Sequence, residues 1–507
     1  MQKHTKMFWA RRLMTLCILR QVSSWSHEPA HNDASQPARI AVIGGGIGGT
    51  ATAYFLQQHF GDDLVLDLYE HHTVGGRLAV LDIAGHSYEV GGSVIHPGNR
   101  YMVEFAEKFG LPKKEHCSDS PFGLFDGEKY MFRGSSWSIV NIMKLFWRYG
   151  RTLLTLRSEL KETLTKFDRI YHLQAEGQAF SSVSDLLHAL DPSFVEMTRV
   201  SVRDWFKKLG IQDLVIDELV TAVTNCNYGQ TADMHAFVGA IAVAGADPDL
   251  WAVTGGNKRV PEELLKHSRA TLLRRKVEEI GLNEGGGFVV TSVEAETSEN
   301  GETHSLNNNV DDTEKDLRPQ NYDLVVVAAP LTKDKTSIKF VNFTKDFTFP
   351  GHYQKIFCTM VHGKLRPESV KLTEGDSIDE VLITNTSLFF NSLGKQSPTE
   401  VKCTEQYPDV WKIFSGSSLR GEHLNAFFKE IESFHEVEWL AYPHYELDQQ
   451  LGDFELHPGL YHLNAIEWAG SAMEMSSIGA KNVALLALKH WLQDPSAGKM
   501  AVLRDEL

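Results

Sequence analysis

The chain has 507 residues, 42% of them hydrophobic and 23% charged, enough to bury the cores of two or three domains. Its formal net charge of -16 repels polyanions, and no basic tract interleaved with aromatic residues offsets it, so a nucleic-acid partner is not expected. Its five cysteines are widely separated and show no metal-ligand spacing, so no metal is expected.

Residues 1–26 carry Lys3, Lys6, Arg11 and Arg12, then the apolar run Leu13 to Leu19, then small polar residues from Ser23 to Ser26. This is the pattern of a cleavable signal peptide; a basic N-terminus without a targeting role is the alternative reading. Cleavage removes Cys17 and leaves Cys117, Cys226, Cys358 and Cys403 in an oxidising lumen, with any disulfide connectivity left open. Asn342-Phe343-Thr344 and Asn385-Thr386-Ser387 both satisfy the N-glycosylation pattern. The terminal Arg504-Asp505-Glu506-Leu507 differs by one residue from the K-D-E-L signal for retrieval to the endoplasmic reticulum. Beyond the leader no run approaches the roughly 20 apolar residues of a membrane-spanning helix, so no transmembrane anchor is expected.

Ala38 to Ile43 reads as a short buried strand, Gly44 to Gly49 as the turn into a helix from near Thr50 to Gln58, and Leu64 to Tyr69 as a second buried strand. Together they predict a βαβ unit opening an α/β, doubly wound (Rossmann-like) domain. From Tyr101 to about Asp233 the pattern is helical and rich in aromatics, as in Ile139 to Trp147 and Leu153 to Tyr171, which predicts an inserted helical region. A β-rich stretch starts at Phe288, is interrupted by the polar segment 294–321, and resumes from Tyr322 to Pro330. That segment can bury too little apolar area to offset its ordering entropy and is expected to be a flexible hairpin tip. Further strands are expected at Ile356 to Gly363 and Val381 to Phe390, and a closing helix at Ser476 to Trp491.

Gly44, Gly46 and Gly49 form G-x-G-x-x-G directly after a strand and at the mouth of a helix. The first glycine permits the tight turn, the second lets backbone approach a pyrophosphate, and the third allows close helix-to-strand packing, while the helix N-terminus offers unpaired N–H groups to the phosphates. Glu70 ends the second strand, where its carboxylate can accept hydrogen bonds from ribose hydroxyls. The order of strand, glycines, helix, strand and acid points to a dinucleotide.

Val74-Gly75-Gly76-Arg77 and Glu89-Val90-Gly91-Gly92-Ser93 follow this unit and resemble the GG-doublet flavoproteins of the amine oxidase superfamily. The resemblance implies that the dinucleotide is FAD, with Gly75, Gly76 and Arg77 facing its phosphate and ribityl chain and Gly91, Gly92 and Ser93 lying against the flavin. Thr254-Gly255-Gly256-Asn257 and Val277 to Ile280 resemble the superfamily's internal motif and adenine-side strand, with Val277 as the contact position. Gly459 to Lys481 takes the place of its C-terminal flavin motif, which brings Glu474 and Met475 to the cofactor. The implied architecture is an FAD-binding domain built from 38–100, 233–283, 322–335 and 455–495, interleaved with an α+β substrate domain from 101–232 and 336–454.

Gly91 to Pro97, Phe146 to Gly150, Asn227 to Gln230, Leu250 to Val253, Trp411 to Ser415, Trp439 to Tyr445 and Ser471 to Ser476 look like the prenylcysteine oxidase family, and the likeness covers nearly all of the chain after residue 38. It implies an FAD-dependent thioether oxidase that removes a hydride from the prenyl carbon beside sulfur. With water and dioxygen, prenylcysteines such as farnesylcysteine and geranylgeranylcysteine would then yield cysteine, a prenyl aldehyde and hydrogen peroxide, in the breakdown of prenylated proteins. The competing readings are another amine-oxidase-superfamily oxidase and a flavin-bound relative without turnover. Family resemblance implies a lysosomal location, which the Arg504 to Leu507 terminus sets against retrieval to the endoplasmic reticulum.

His96 follows the flavin-facing doublet and is a candidate for a polar catalytic role, with a turn histidine bonded to backbone as its alternative. Glu467 and Glu474 flank the C-terminal motif and could receive the substrate ammonium or a proton, with helix capping or a salt bridge as theirs. Phe146, Trp147 and Tyr149 are expected to line a prenyl channel or to be simple core.

Overall fold

The computed structural model describes residues 36–493 apart from 116–121, 136–137, 247–248, 296–315, 374–375, 377, 401 and 403. The expected leader, Cys117, Cys403, most of the polar insertion and the Arg504 to Leu507 terminus lie outside the described residues.

Strand β1 (Ala38–Ile43) and strand β2 (Leu64–Tyr69) pair in parallel on either side of helix α1 (Ile47–Phe60) in the chain. β1 is buried at every position but Arg39 because both faces of a parallel sheet are covered. Around this pair a six-stranded sheet runs in the order Glu455–His457, Leu460–His462, Leu324–Val327, β1, β2 and Thr271–Leu273, parallel throughout except for its first strand. The resulting core joins α1 to Arg259–Ser268 and to the closing helix Met473–Gln493. A four-stranded sheet of Arg318–Tyr322, Phe288–Glu294, Arg275–Leu282 and Lys339–Val341 lies beside it.

Two expectations shift. Arg318 to Asn321, placed in the flexible tip, form an exposed edge strand against Phe288–Glu294, since ladder pairing uses backbone groups and an edge tolerates Pro319. The expected boundary at residue 101 is no break in packing. Helix α2 (Arg100–Lys108) buries Tyr101, Met102 and Phe105 in the same core as α1, and Ile170, Leu186 and Phe194 join them from later helices.

Helix α3 (Ser138–Tyr149) belongs to a second, helical core in which Tyr149 and Leu156 meet Val202, Phe206 and Ile216. Five later strands, β3 (Tyr353–Leu365), β4 (Glu380–Ile383), β5 (Ser392–Gln396), β6 (Val410–Ser415) and β7 (Phe428–Pro443), join Phe122–Phe125 and Tyr130–Arg133 in a second large sheet. Its order is β7-β3-β6-β5-β4, then Phe122–Phe125 and Tyr130–Arg133. One face buries Trp411, Ile413 and Val361 in its own core, and the other carries Cys358, Met360 and Val410 against Tyr88 and Val90 of the nucleotide side. That second face lies over the strand that leads into the second glycine doublet.

Candidate active site

The G-x-G-x-x-G turn is closed by Gly44 N–H donating to the Tyr69 carbonyl at 2.8 Å and Gly75 N–H to the Gly45 carbonyl at 2.9 Å. A Cβ on Gly49 would overlap the Gly44 carbonyl oxygen, so helix and turn can approach this closely only with glycine there. Gly46 and Gly75 form a bridge, which seats the first doublet on the mouth of α1. Glu70 accepts from Gly45 N–H at 2.8 Å and from His72 N–H at 2.7 Å, each oxygen keeping a further acceptor position. The first turn of the closing helix is the neighbour of the first turn of α1, since a Cβ on Gly48 would lie 3.6 Å from Ser476 Cβ. Two helix N-termini with unpaired N–H groups therefore stand side by side.

The second doublet lies directly on the first. Val90 N–H donates to the Ala79 carbonyl and Gly92 N–H to the Arg77 carbonyl, each at 3.0 Å, and a Cβ on Gly91 would overlap that same Arg77 oxygen. Asn257 holds the pair from the other side: its N–H donates to Glu89 Oε1 at 2.6 Å and its Nδ2 to the Gly92 carbonyl at 3.0 Å. Ser93 is half-buried beside them.

Arg77 joins three segments. Its Nη1 donates to Glu467 Oε2 at 2.9 Å and to the Ala441 carbonyl at 2.7 Å, and its Nη2 to Glu467 Oε1 at 2.5 Å. Glu467 is fully buried and also accepts from Tyr353 Oη at 2.9 Å and Asn464 Nδ2 at 2.6 Å. Burial alone would raise its pKa, but the Arg77 charge and these donors hold it below the ordinary value. Lys335 completes the group: its Nζ sits 5.4 Å from the Tyr353 ring centroid, and burial together with the Arg77 charge lowers its pKa to about 8. Tyr353 and Lys335 are not foreseen in the sequence, because each reaches the site from a remote segment with no local motif, whereas Asn257 belongs to the Thr254 to Asn257 motif.

The remaining expected positions divide. Glu474 does not reach out as a ligand contact. Its buried oxygens accept from Tyr101 N–H at 2.8 Å, Met102 N–H at 3.0 Å and Tyr171 Oη at 2.9 Å, which caps α2. His96 Nδ1 accepts from Gly98 N–H at 2.9 Å, the arrangement of a turn histidine. Met475 is buried in the first turn of the closing helix, and Val277 packs in a core with Ile43 and Tyr69 next to a bulge at Glu278. Trp147 is 92% exposed and Phe146 50%, so α3 does not bring them to an enclosed channel, whereas Tyr149 is core. Cys226 and Cys358 are free thiols, which burial pushes up to about 12 and about 11.

These features fit FAD. Glycines clear the backbone at neighbouring helix N-termini, as a pyrophosphate would require, Glu70 ends β2 with acceptor positions that ribose hydroxyls could use, and Arg77 keeps 30% of its side chain open while its partner Glu467 keeps none.

Residues 132–498 match the family described as prenylcysteine lyase, and residues 42–109 match an NAD(P)-binding Rossmann-like domain. Prenylcysteine oxidase 1 of Bos taurus is 38% identical over 489 residues, covering 94% of this chain and 92% of that protein. Prenylcysteine oxidase 1-like of Homo sapiens is 36% identical and covers 90% of this chain and 92% of its own length. Among solved structures, cyclohexylamine oxidase from Brevibacterium oxydans IH-35A superposes with a TM-score of 0.56 at 15% identity, over 89% of this chain and 99% of that one, a likeness of fold.

Proposed function

Because this chain belongs to the prenylcysteine oxidase (prenylcysteine lyase) family, we propose that it cleaves prenylcysteines, with dioxygen and water as co-substrates, to free cysteine, a prenyl aldehyde and hydrogen peroxide. It is an FAD-dependent oxidoreductase acting on a prenylcysteine. The observation that carries the reading is the closure of both glycine doublets and the C-terminal segment around one ion pair, Arg77 with Glu467. When bound, FAD supplies a two-electron acceptor for the carbon beside the thioether sulfur and a route for those electrons to dioxygen.

The protein's own part is to bind, orient and keep dry. Gly44 to Gly49 and the two helix N-termini would hold the phosphates, and Glu70 the ribose. Arg77, with Glu467 as its counter-ion, supplies a fixed positive charge next to the doublets; Glu467 is thereby kept ionised and engaged and does not serve as a mobile base. Burial raises the pKa of Tyr228, Tyr442 and Tyr445, so their hydroxyls stay protonated at the wall between the sheet and the C-terminal motif. Trp439, whose Nε1 donates to the Val90 carbonyl at 3.0 Å, and Phe414 give an isoprenoid chain an apolar face opposite the second doublet. Such a site confines its substrate without needing a strong side-chain base.

Incubation of the purified protein with farnesylcysteine in air is expected to release farnesal and peroxide in equal amounts; release of neither contradicts the proposal. For location, exposed Asn342 and Asn385 support glycosylation in the secretory lumen. Cell fractionation with and without residues 504–507 separates lysosomal residence from retrieval.

A further inference from the structure

Three adjacent strands of the second sheet place Glu380, Gly394 and Lys412 in one row, Glu380 opposite Gly394 and Gly394 opposite Lys412. At about 4.8 Å between strands, the two charged residues stand about 10 Å apart at their Cα atoms, with no side chain between them. Lys412 lies on the face toward the second doublet: Met360 continues its row, and Val410, two residues away, packs with Tyr88 and Val90. Trp411 and Ile413 point to the other side. A Cβ on Gly394 would come within 4 Å only of the Gln396 amide tip, at 3.3 Å, and the Asp379 carbonyl, at 3.7 Å.

Among the described residues neither charge is paired. Lys412 is 8% exposed, and its Nζ makes one hydrogen bond, to the Glu89 carbonyl at 3.4 Å, and stands 5.3 Å from the Phe414 ring centroid. Among the described residues no carboxylate reaches it at ion-pair distance, and the Glu380 carboxylate has neither a hydrogen bond nor an ion pair. Glu380 has open surface, yet desolvation by surrounding protein raises its pKa and the Lys412 charge opposes the rise. Lys114, half-buried and with its pKa lowered to about 8 by burial, borders the same cluster, as does Glu89, whose buried Oε2 has no hydrogen-bond partner among the described residues.

A buried charge such as that of Lys412 ordinarily finds a partner, because withdrawal from water penalises a charge left single. Here the backbone holds opposite charges apart across a glycine, an arrangement that a ligand with one positive and one negative group can complete. We propose that Glu380 and Lys412, facing each other across Gly394, form the subsite for the α-amino-acid head of the substrate, Lys412 taking its carboxylate and Glu380 its ammonium. This assignment rests on the reading of the chain as a prenylcysteine oxidase and adds how that substrate's polar end is recognised.

Titration calorimetry of the FAD-loaded protein tests it with S-dodecylcysteine, a thioether that keeps the head but has no allylic carbon, and with its N-acetyl and methyl ester forms. Glu380→Gln is expected to weaken dodecylcysteine roughly tenfold to hundredfold and to leave the N-acetyl form unchanged. Lys412→Met is expected to do the same with the methyl ester as the insensitive ligand. Gly394→Val keeps both charges, fills the space between them at a position whose φ is not left-handed, and is expected to weaken dodecylcysteine by a comparable factor. If Lys412→Met does not fold, the other two variants decide. Equal affinity of the wild type for all three ligands, or equal weakening of all three by Glu380→Gln, overturns the subsite. Turnover of farnesylcysteine is measured on the same preparation. A protein that turns over without head selectivity loses the subsite alone, and one that shows the selectivity without turnover keeps the subsite and loses the oxidase reading.

Discussion

Arg77 is the residue on which the site depends, because one guanidinium satisfies Glu467, the Ala441 carbonyl and Ser471 Oγ at once. Its position in a glycine doublet is visible in the sequence, but its partner lies 390 residues away, so the ion pair is not. Glu467→Gln leaves that arginine without its counter-ion and is expected to cost about 3 kcal/mol of stability, measured by denaturation of the FAD-loaded protein; an unchanged midpoint contradicts the role. Glu474 carries a different signature. Burial raises its pKa from 4.5 to about 7 despite three donors, so the folded protein binds a proton there that the unfolded chain releases at lower pH. The stability it adds is complete below about 4.5 and is lost as pH rises through about 7, up to about 3 kcal/mol. Compared with Glu474→Gln, the wild type should lose that amount between these limits in chemical denaturation; parallel profiles would refute it.

At the scale of elements, legibility follows how local the physics is. β1 and β2 are read to the residue, since a run such as Val-Leu-Asp-Leu-Tyr between turns has few other uses, and α1 differs by starting at Ile47 and running on to Phe60. The glycine positions are equally plain, because the requirement for a missing Cβ acts within a few residues. Gly49→Ala is expected to lower FAD retention roughly tenfold or more, read as flavin absorbance per protein after gel filtration. Trp147→Ser on exposed α3 should retain FAD fully; equal loss in both would discredit the cradle. Apolar aromatics at helical spacing in α3 fit either a channel wall or simple core, and Phe146 and Trp147 are exposed instead, because spacing does not reveal which side of a helix another element covers.

At the scale of the molecule, the interleaving is visible in outline from the switch between strand-rich and helical stretches. Of the second sheet the sequence marks strands near β3 and β4, the latter expected to run on to Phe390 but ending at Ile383, and not their pairing. Its longest strand, β7, is largely polar and half-exposed, and its pairing with β3 joins residues far apart in sequence. The row from Glu380 to Lys412 exists only once three such strands are in register. If this architecture brings a prenylcysteine to bound FAD, the absorption spectrum of the FAD-loaded protein mixed with farnesylcysteine in the absence of air shows it most directly. Bleaching of the oxidised flavin band within mixing, restored by air with release of peroxide, is the expected result. An oxidised spectrum that persists under saturating farnesylcysteine would contradict the account.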